Sequence, residues 1–226
     1  MIRNVIFDMG NVLLYYEPKP YLAAKVPDEA DAAILYDACF GGPEWKQLDA
    51  GALTEEEALA SMQSHVPERL RGELARVYRD WPDCMRPVPG MEPLVQAVQE
   101  AGAHCFVLSN ASVRFPELVA RFSILHRIDD RFVSAFYRLL KPSREIYERF
   151  LSEYGLKAEE CVFLDDLQEN VDGAIACGIP PLHDRAGRRR LPERIARREL
   201  VITETAAVRP QSAPAAVLEK ERGISP

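Results

Sequence analysis

Short apolar runs that stop abruptly at acidic, hydroxyl or amide side chains recur along this 226-residue chain, with helical patterns between them. Asn4-Val5-Ile6-Phe7 ends at Asp8, and the turn-forming pair Gly10-Asn11 follows. His104-Cys105-Phe106-Val107-Leu108 ends at Ser109-Asn110, and Cys161-Val162-Phe163-Leu164 ends at Asp165-Asp166. A weaker run of the same kind covers 131–135. Helical patterns at 93–101, 143–154 and 170–177 are closed by Gly102, Gly155 and Gly178. Strands alternating with helices predict an α/β fold on a doubly wound parallel sheet, with helices on both faces. In such sheets ligands bind beyond the carboxyl ends of the strands, which is where the polar clusters fall.

The stretch 16–86 breaks this rhythm. It reads as helical, is punctuated by Gly41-Gly42-Pro43 and Trp81-Pro82, and contains no convincing strand. Thr54-Glu55-Glu56-Glu57 has the form of a capping box, in which the N-cap hydroxyl and the glutamate three residues on satisfy each other's backbone donors. The expected organisation is an α/β core from 1–15 and 87–184 with a small helical cap, 16–86, inserted after the first strand. The remaining residues, 185–226, form a tail dense in arginine and then rich in alanine and proline, expected to be poorly ordered apart from a short helix over 191–199.

A net charge of −7 and a pI near 5.3 argue against a nucleic-acid partner. No apolar stretch approaches the ~20 residues that span a bilayer, so no membrane association is expected. The start, Met1-Ile2-Arg3, has no leader-like pattern. Five cysteines without a CxxC pair fit a reduced, cytoplasmic setting better than a disulfide framework. His65, His104, His126 and His183 show no metal-ligand spacing, and Trp45 and Trp81 are read as packing anchors.

Taken singly, each polar cluster has an ordinary explanation. Asp8 could cap a turn, Ser109-Asn110 a helix, Lys141 could be a surface lysine and Asp165-Asp166 a solvated pair. Together, in chain order on one side of one sheet, they compose a chemistry. A strand-end carboxylate can attack phosphorus and form an aspartyl-phosphate. Phosphoryl transfer asks chiefly for positioning and charge neutralisation. A hydroxyl and amide pair with a lysine can supply these, and paired carboxylates can seat a hard, oxygen-seeking cation.

Phe7-Asp8-Met9-Gly10-Asn11-Val12, Leu108-Ser109-Asn110, Lys141-Pro142 and Phe163-Leu164-Asp165-Asp166, with Asn170 following, resemble the four motifs of the haloacid dehalogenase superfamily, in its order and over roughly the first 185 residues. The nearest likeness is to its sugar-phosphate phosphatases and epoxide-hydrolase phosphatase domains. The resemblance implies a magnesium-dependent phosphatase acting on a small-molecule phosphate ester. Asp8 would be nucleophile and metal ligand, and the main-chain carbonyl of Gly10 a second ligand. Ser109 and Asn110 would bind the phosphoryl oxygens, and Lys141 would offset negative charge. Asp166 is similar to the family's metal-binding aspartate, with Asp165 completing the acidic pair from behind.

One departure stands out. The family's phosphatases usually carry a second aspartate two residues after the nucleophile, which protonates the leaving oxygen; here that position is Gly10. Loss of a general acid typically forfeits ~10²–10⁴-fold in rate. The expected substrate is therefore an activated ester such as a sugar 1-phosphate. The alternatives are a 2-haloacid dehalogenase, which would leave Asp165-Asp166 unexplained, and a non-catalytic binding protein of the same fold. The motifs carry no information on oligomeric state.

Overall fold

The computed structural model describes residues 2–180. The tail from 185, with its arginine-dense segment and the helix expected over 191–199, lies outside the described residues.

Strand β1 (Asn4–Phe7) opens the chain, followed by β2 (Leu14–Tyr16). Five helices come next: α1 (Pro18–Lys25), α2 (Glu29–Cys39), α3 (Pro43–Asp49), α4 (Glu55–Ser64) and α5 (Arg71–Arg79). The chain returns through β3 (Met85–Pro87) to α6 (Met91–Glu100) and β4 (His104–Ser109). After α7 (Phe115–Arg121) and α8 (Ser123–Arg127) come β5 (Asp130–Val133) and the single turn α9 (Ser134–Tyr137). Helix α10 (Arg144–Glu153), strand β6 (Cys161–Leu164) and α11 (Gln168–Ala176) complete the described chain.

Four strands form one sheet in the order β5-β4-β1-β6, and every pairing is parallel. Ile6 pairs with Phe106 on one side and Phe163 on the other. The period of two sends Val5, Phe7, Cys105 and Val107 to one face, towards α6 and the inserted helices. Ile6, Phe106, Leu108 and Phe163 go to the other face, where Ile146, Tyr147 and Phe150 of α10 cover them. Both faces are thus dry, which explains why these strands read as unbroken apolar runs rather than alternating ones.

The helical insertion after β1 has local causes that can be named. Asp28 caps α2 by accepting the amide of Asp31 at 2.9 Å. The capping box of α4 is present in both directions: Thr54 Oγ1 accepts from Glu57 N at 3.2 Å, and Glu57 Oε2 accepts from Thr54 N at 2.9 Å. Proline begins α1 and α3, where a missing N–H is harmless.

Two sequence expectations need correction. The segment 16–86 was expected to hold no strand, yet its two ends form an antiparallel ribbon, with Tyr15 opposite Arg86 and Tyr16 opposite Met85. Three-residue strands are too short to display alternation, and this pair is made by residues some seventy positions apart. The run 131–135 was expected to be wholly extended, yet Ser134 and Ala135 turn into α9. The hydroxyl of Ser134 donates to the carbonyl oxygen of Asp49 (2.5 Å) and accepts the Ala111 amide (2.9 Å), contacts that an isolated sequence window cannot show.

The insertion is seated on the core by these contacts and two others. Arg114 of the core donates to the carbonyls of Tyr78 (2.9 Å) and Arg79 (2.7 Å) at the end of α5. Gly51, with φ of +62°, approaches so closely that a Cβ there would lie 2.3 Å from the Ala135 carbonyl oxygen. Only glycine adopts that conformation without strain and leaves that gap. Gly51→Ala is therefore expected to destabilise the protein by at least about 1–2 kcal/mol, the cost of the left-handed backbone alone. Gly72→Ala, in the first turn of α5 with open space at its Cβ, should instead stabilise by about 0.5 kcal/mol. Urea unfolding of both variants checks the contrast, and a Gly51→Ala protein as stable as the parent would refute the tight seat.

Candidate active site

Because β1 lies between β4 and β6, the polar residues that end these strands converge. Asp8 follows β1, and its amide still bonds the Leu164 carbonyl of β6 at 2.8 Å. Ser109 ends β4, and Asp165 follows β6. Into the gap between them comes Lys141, from the loop before α10. Its ammonium donates to Asp8 Oδ1 at 2.8 Å, Asp165 Oδ2 at 2.6 Å and the Leu108 carbonyl at 3.0 Å. The lysine side chain is 1% exposed and that of Asp165 fully buried.

Charge in so dry a place persists only when paired. Burial alone would lower the Lys141 ammonium, but Asp8 and Asp165 outweigh it and hold the lysine above its ordinary value. Burial pushes Asp8 up, opposed by Lys141 and reinforced by Asp165.

The supports of this centre are equally specific. Asn110 clasps the main chain of Lys141, accepting its N–H at 2.9 Å and donating to its carbonyl at 3.1 Å. One amide hydrogen of Asn110 is thereby spent on holding the lysine. The two oxygens of Asp165 each accept two bonds: Oδ1 from Leu167 N and Asn170 Nδ2 (both 2.9 Å), and Oδ2 from Lys141 and Asn170 Nδ2 (3.0 Å). A carboxylate offers about four acceptor positions, so Asp165 is saturated. Asp166 by contrast accepts a single bond among the described residues, from Asn11 Nδ2 at 3.3 Å.

Asp8, Asp165 and Asp166 each bring a carboxylate oxygen to within 4.8 Å of the others. Three carboxylates face one ammonium, and the donors are all oxygen, a set that suits a hard divalent cation. Gly10 adjoins the cluster, its open Cβ position 3.7 Å from Asp8 Oδ2. All seven residues singled out from the sequence (Asp8, Gly10, Ser109, Asn110, Lys141, Asp165, Asp166) thus meet in one place.

A cavity of about 250 Å³ opens on this centre. Besides the polar residues it is lined by Met9, Tyr16, Trp45, Trp81, Met85, Phe115, Leu118 and Leu167. Trp45 and Trp81 pack edge to face, with centroids 5.3 Å apart, so the expected packing anchors are also cavity wall. The Tyr16 hydroxyl is buried without a hydrogen-bond partner among the described residues.

Sequence reasoning overlooked two further residues here. Asn11, in the left-handed conformation that asparagine tolerates (φ 53°), ties Asp166 to the ribbon by accepting the Tyr16 amide at 3.2 Å. Its signal was the Gly10-Asn11 turn pair. Asp49, the last residue of α3, also lines the cavity. Burial raises its carboxyl to about 7; Asp8 and Glu55 add to the rise and Lys141 opposes it. No motif marks Asp49, because it belongs to the insertion and reaches the site only through the fold.

The sequence model of the haloacid dehalogenase-like hydrolases matches residues 2–178. The chain belongs to that family. Among curated relatives, this hydrolase is 28% identical over 183 residues to sesquiterpene phosphatase astK of Aspergillus oryzae, covering 80% of this chain and 89% of the relative. Its fold is shared with a HAD-like family hydrolase of Porphyromonas gingivalis (TM-score 0.64, 19% identity, 87% of this chain and 98% of that one). It is shared too with a HAD family enzyme of Bacteroides thetaiotaomicron in complex with magnesium and inorganic phosphate (TM-score 0.59, 19% identity, 83% and 96%). No helix among the described residues of the hydrolase is long and apolar enough to cross a membrane.

The unequal bonding of the two adjacent acids makes a stability prediction. Asp165→Ala removes one of the two carboxylates that pair the buried Lys141 ammonium and both acceptors of the Asn170 amide, and is expected to cost about 3–5 kcal/mol. Asp166→Ala loses one long hydrogen bond and should cost no more than about 1 kcal/mol. Urea denaturation of the two variants measures the difference, and equal losses would contradict the assignment.

Proposed function

We propose that the protein is a magnesium-dependent phosphatase that takes the phosphoryl group of a small, apolar alcohol's phosphate ester onto Asp8. The observation that carries this reading is the convergence of Asp8, Lys141 and the Asp165-Asp166 pair at one end of the cavity. Kinship with a sesquiterpene phosphatase supports it.

Asp8, Asp166 and the main-chain carbonyl of Gly10 would hold the ion, with Asp165 fixed behind them by its four hydrogen bonds. When bound, magnesium would offset the charge of the carboxylates and phosphoryl oxygens. Lys141 keeps Asp8 oriented and adds a fixed positive charge beside the transferred group. Ser109 and the remaining N–H donors of Asn110 line the space for the phosphoryl oxygens. The helical insertion serves as a cap, bringing Trp45 and Trp81 over the centre and excluding water from it. Apolar and aromatic walls favour a hydrocarbon leaving group over the sugar 1-phosphate expected from the sequence, whose hydroxyls would lose their water for few partners.

Phosphate release from n-octyl phosphate is expected with magnesium, to cease with EDTA and return when magnesium is restored. Asp8→Asn should reduce release to the uncatalysed background. Chloroacetate turnover in chelator, full activity of Asp8→Asn, or tight substrate binding with no phosphate release would overturn the proposal.

A further inference from the structure

We infer that Asp49, on the inserted helix α3, is the general acid and base of this site, in place of the side chain that Gly10 lacks. The inference rests on the phosphatase reading and extends it to a residue of the insertion.

Gly10 leaves the acid's usual place open rather than filled. Its Cβ position meets only Asp8 Oδ2, at 3.7 Å, and neighbouring Asn11 is committed to Asp166 and Tyr16. A proton donor must therefore come from elsewhere on the cavity wall. Among the described residues three carboxylates line the cavity: Asp8, Asp49 and Asp166. Asp8 is bonded to Lys141 and is the nucleophile, while Asp166 belongs to the cation cluster. Lys141 is held by two carboxylates, and burial pushes the Tyr16 phenol far above its ordinary value. Asp49 is the group left, and its carboxyl has no hydrogen-bond partner among the described residues.

The fold holds Asp49 in place by its main chain, so its side chain is free to act. Ser134 donates its hydroxyl to the Asp49 carbonyl at 2.5 Å and accepts the Ala111 amide at 2.9 Å. One hydroxyl thus joins the acid-bearing turn of the insertion to the loop after β4, where the phosphoryl group would sit. Two residues on, Gly51 rests against the Ala135 carbonyl. The surroundings favour a protonated acid near neutral pH: burial first, then the negative charges of Asp8 and Glu55.

The chemistry balances with this assignment. An oxygen of Asp8 bonds to phosphorus, and the bond from phosphorus to the ester oxygen breaks with its electron pair leaving on that oxygen. The Asp49 proton passes to it, which releases the alcohol and leaves Asp49 as carboxylate. Water then attacks the aspartyl-phosphate and gives one proton back to Asp49. Inorganic phosphate leaves, and Asp8 returns as carboxylate.

The test compares the parent with Asp49→Asn on two esters, n-octyl phosphate and p-nitrophenyl phosphate. The alkoxide needs a proton as it leaves, whereas the nitrophenolate hardly does. Asp49→Asn should lower kcat/KM for the octyl ester by ~10²–10⁴-fold and for the nitrophenyl ester by less than about 10-fold. Asp49→Ser, which keeps the same main-chain contact, should show the same split, and Asp49→Glu should recover part of the loss on the octyl ester alone. Equal losses on both esters, or no loss on the octyl ester, would overturn the inference while the phosphatase reading stands. A parent protein that releases phosphate from neither ester would remove the phosphatase reading itself.

Discussion

A buried ammonium organises this molecule. Lys141 sits between Asp8 and Asp165 in a place where a lone charge would be costly, and the pairings that make it tolerable also define the site. Its three acceptors come from the ends of β1, β4 and β6, so the tips of three neighbouring strands are drawn to one point. Asn110 then holds the lysine's main chain, and Asn170 holds Asp165. Each polar group in this web has few alternatives to the partner it has, and such fully satisfied networks are rigid.

That rigidity bears on chemistry because phosphoryl transfer depends on position more than on covalent rearrangement. The core supplies Asp8, the lysine and an acidic cluster whose charge one ammonium does not balance. The insertion supplies the apolar wall and Asp49. Two small links keep the halves in register. Asn11 joins Asp166 to the ribbon that leads into the insertion, and Ser134 joins the Asp49 turn to the loop after β4.

Much of the core was legible in the sequence because its signals are local. The apolar runs at 4–7, 104–108 and 161–164 are strands for the reason read from them, burial on both faces of a parallel sheet. The capping box at Thr54 and Glu57 forms as spelled. The β2–β3 ribbon and the turn of α9 were not legible, since each is decided by a partner far along the chain. At the site, the motif residues could be found by position at strand ends. Their division of labour came from the family resemblance alone: nothing in the residues Asp165-Asp166 themselves says that the first accepts four hydrogen bonds and the second, among the described residues, one.

The sequence by itself determined the alternation of strands and helices, the inserted helical block and the polar residues that end each strand. These follow from side-chain periodicity and turn chemistry within a few residues. Only the tertiary structure decided that Asp49 shares a cavity with Asp8, and that the cavity's remaining walls are largely apolar and aromatic. Proximity between an inserted helix and a strand tip depends on how two packed bodies meet, and no local pattern records that.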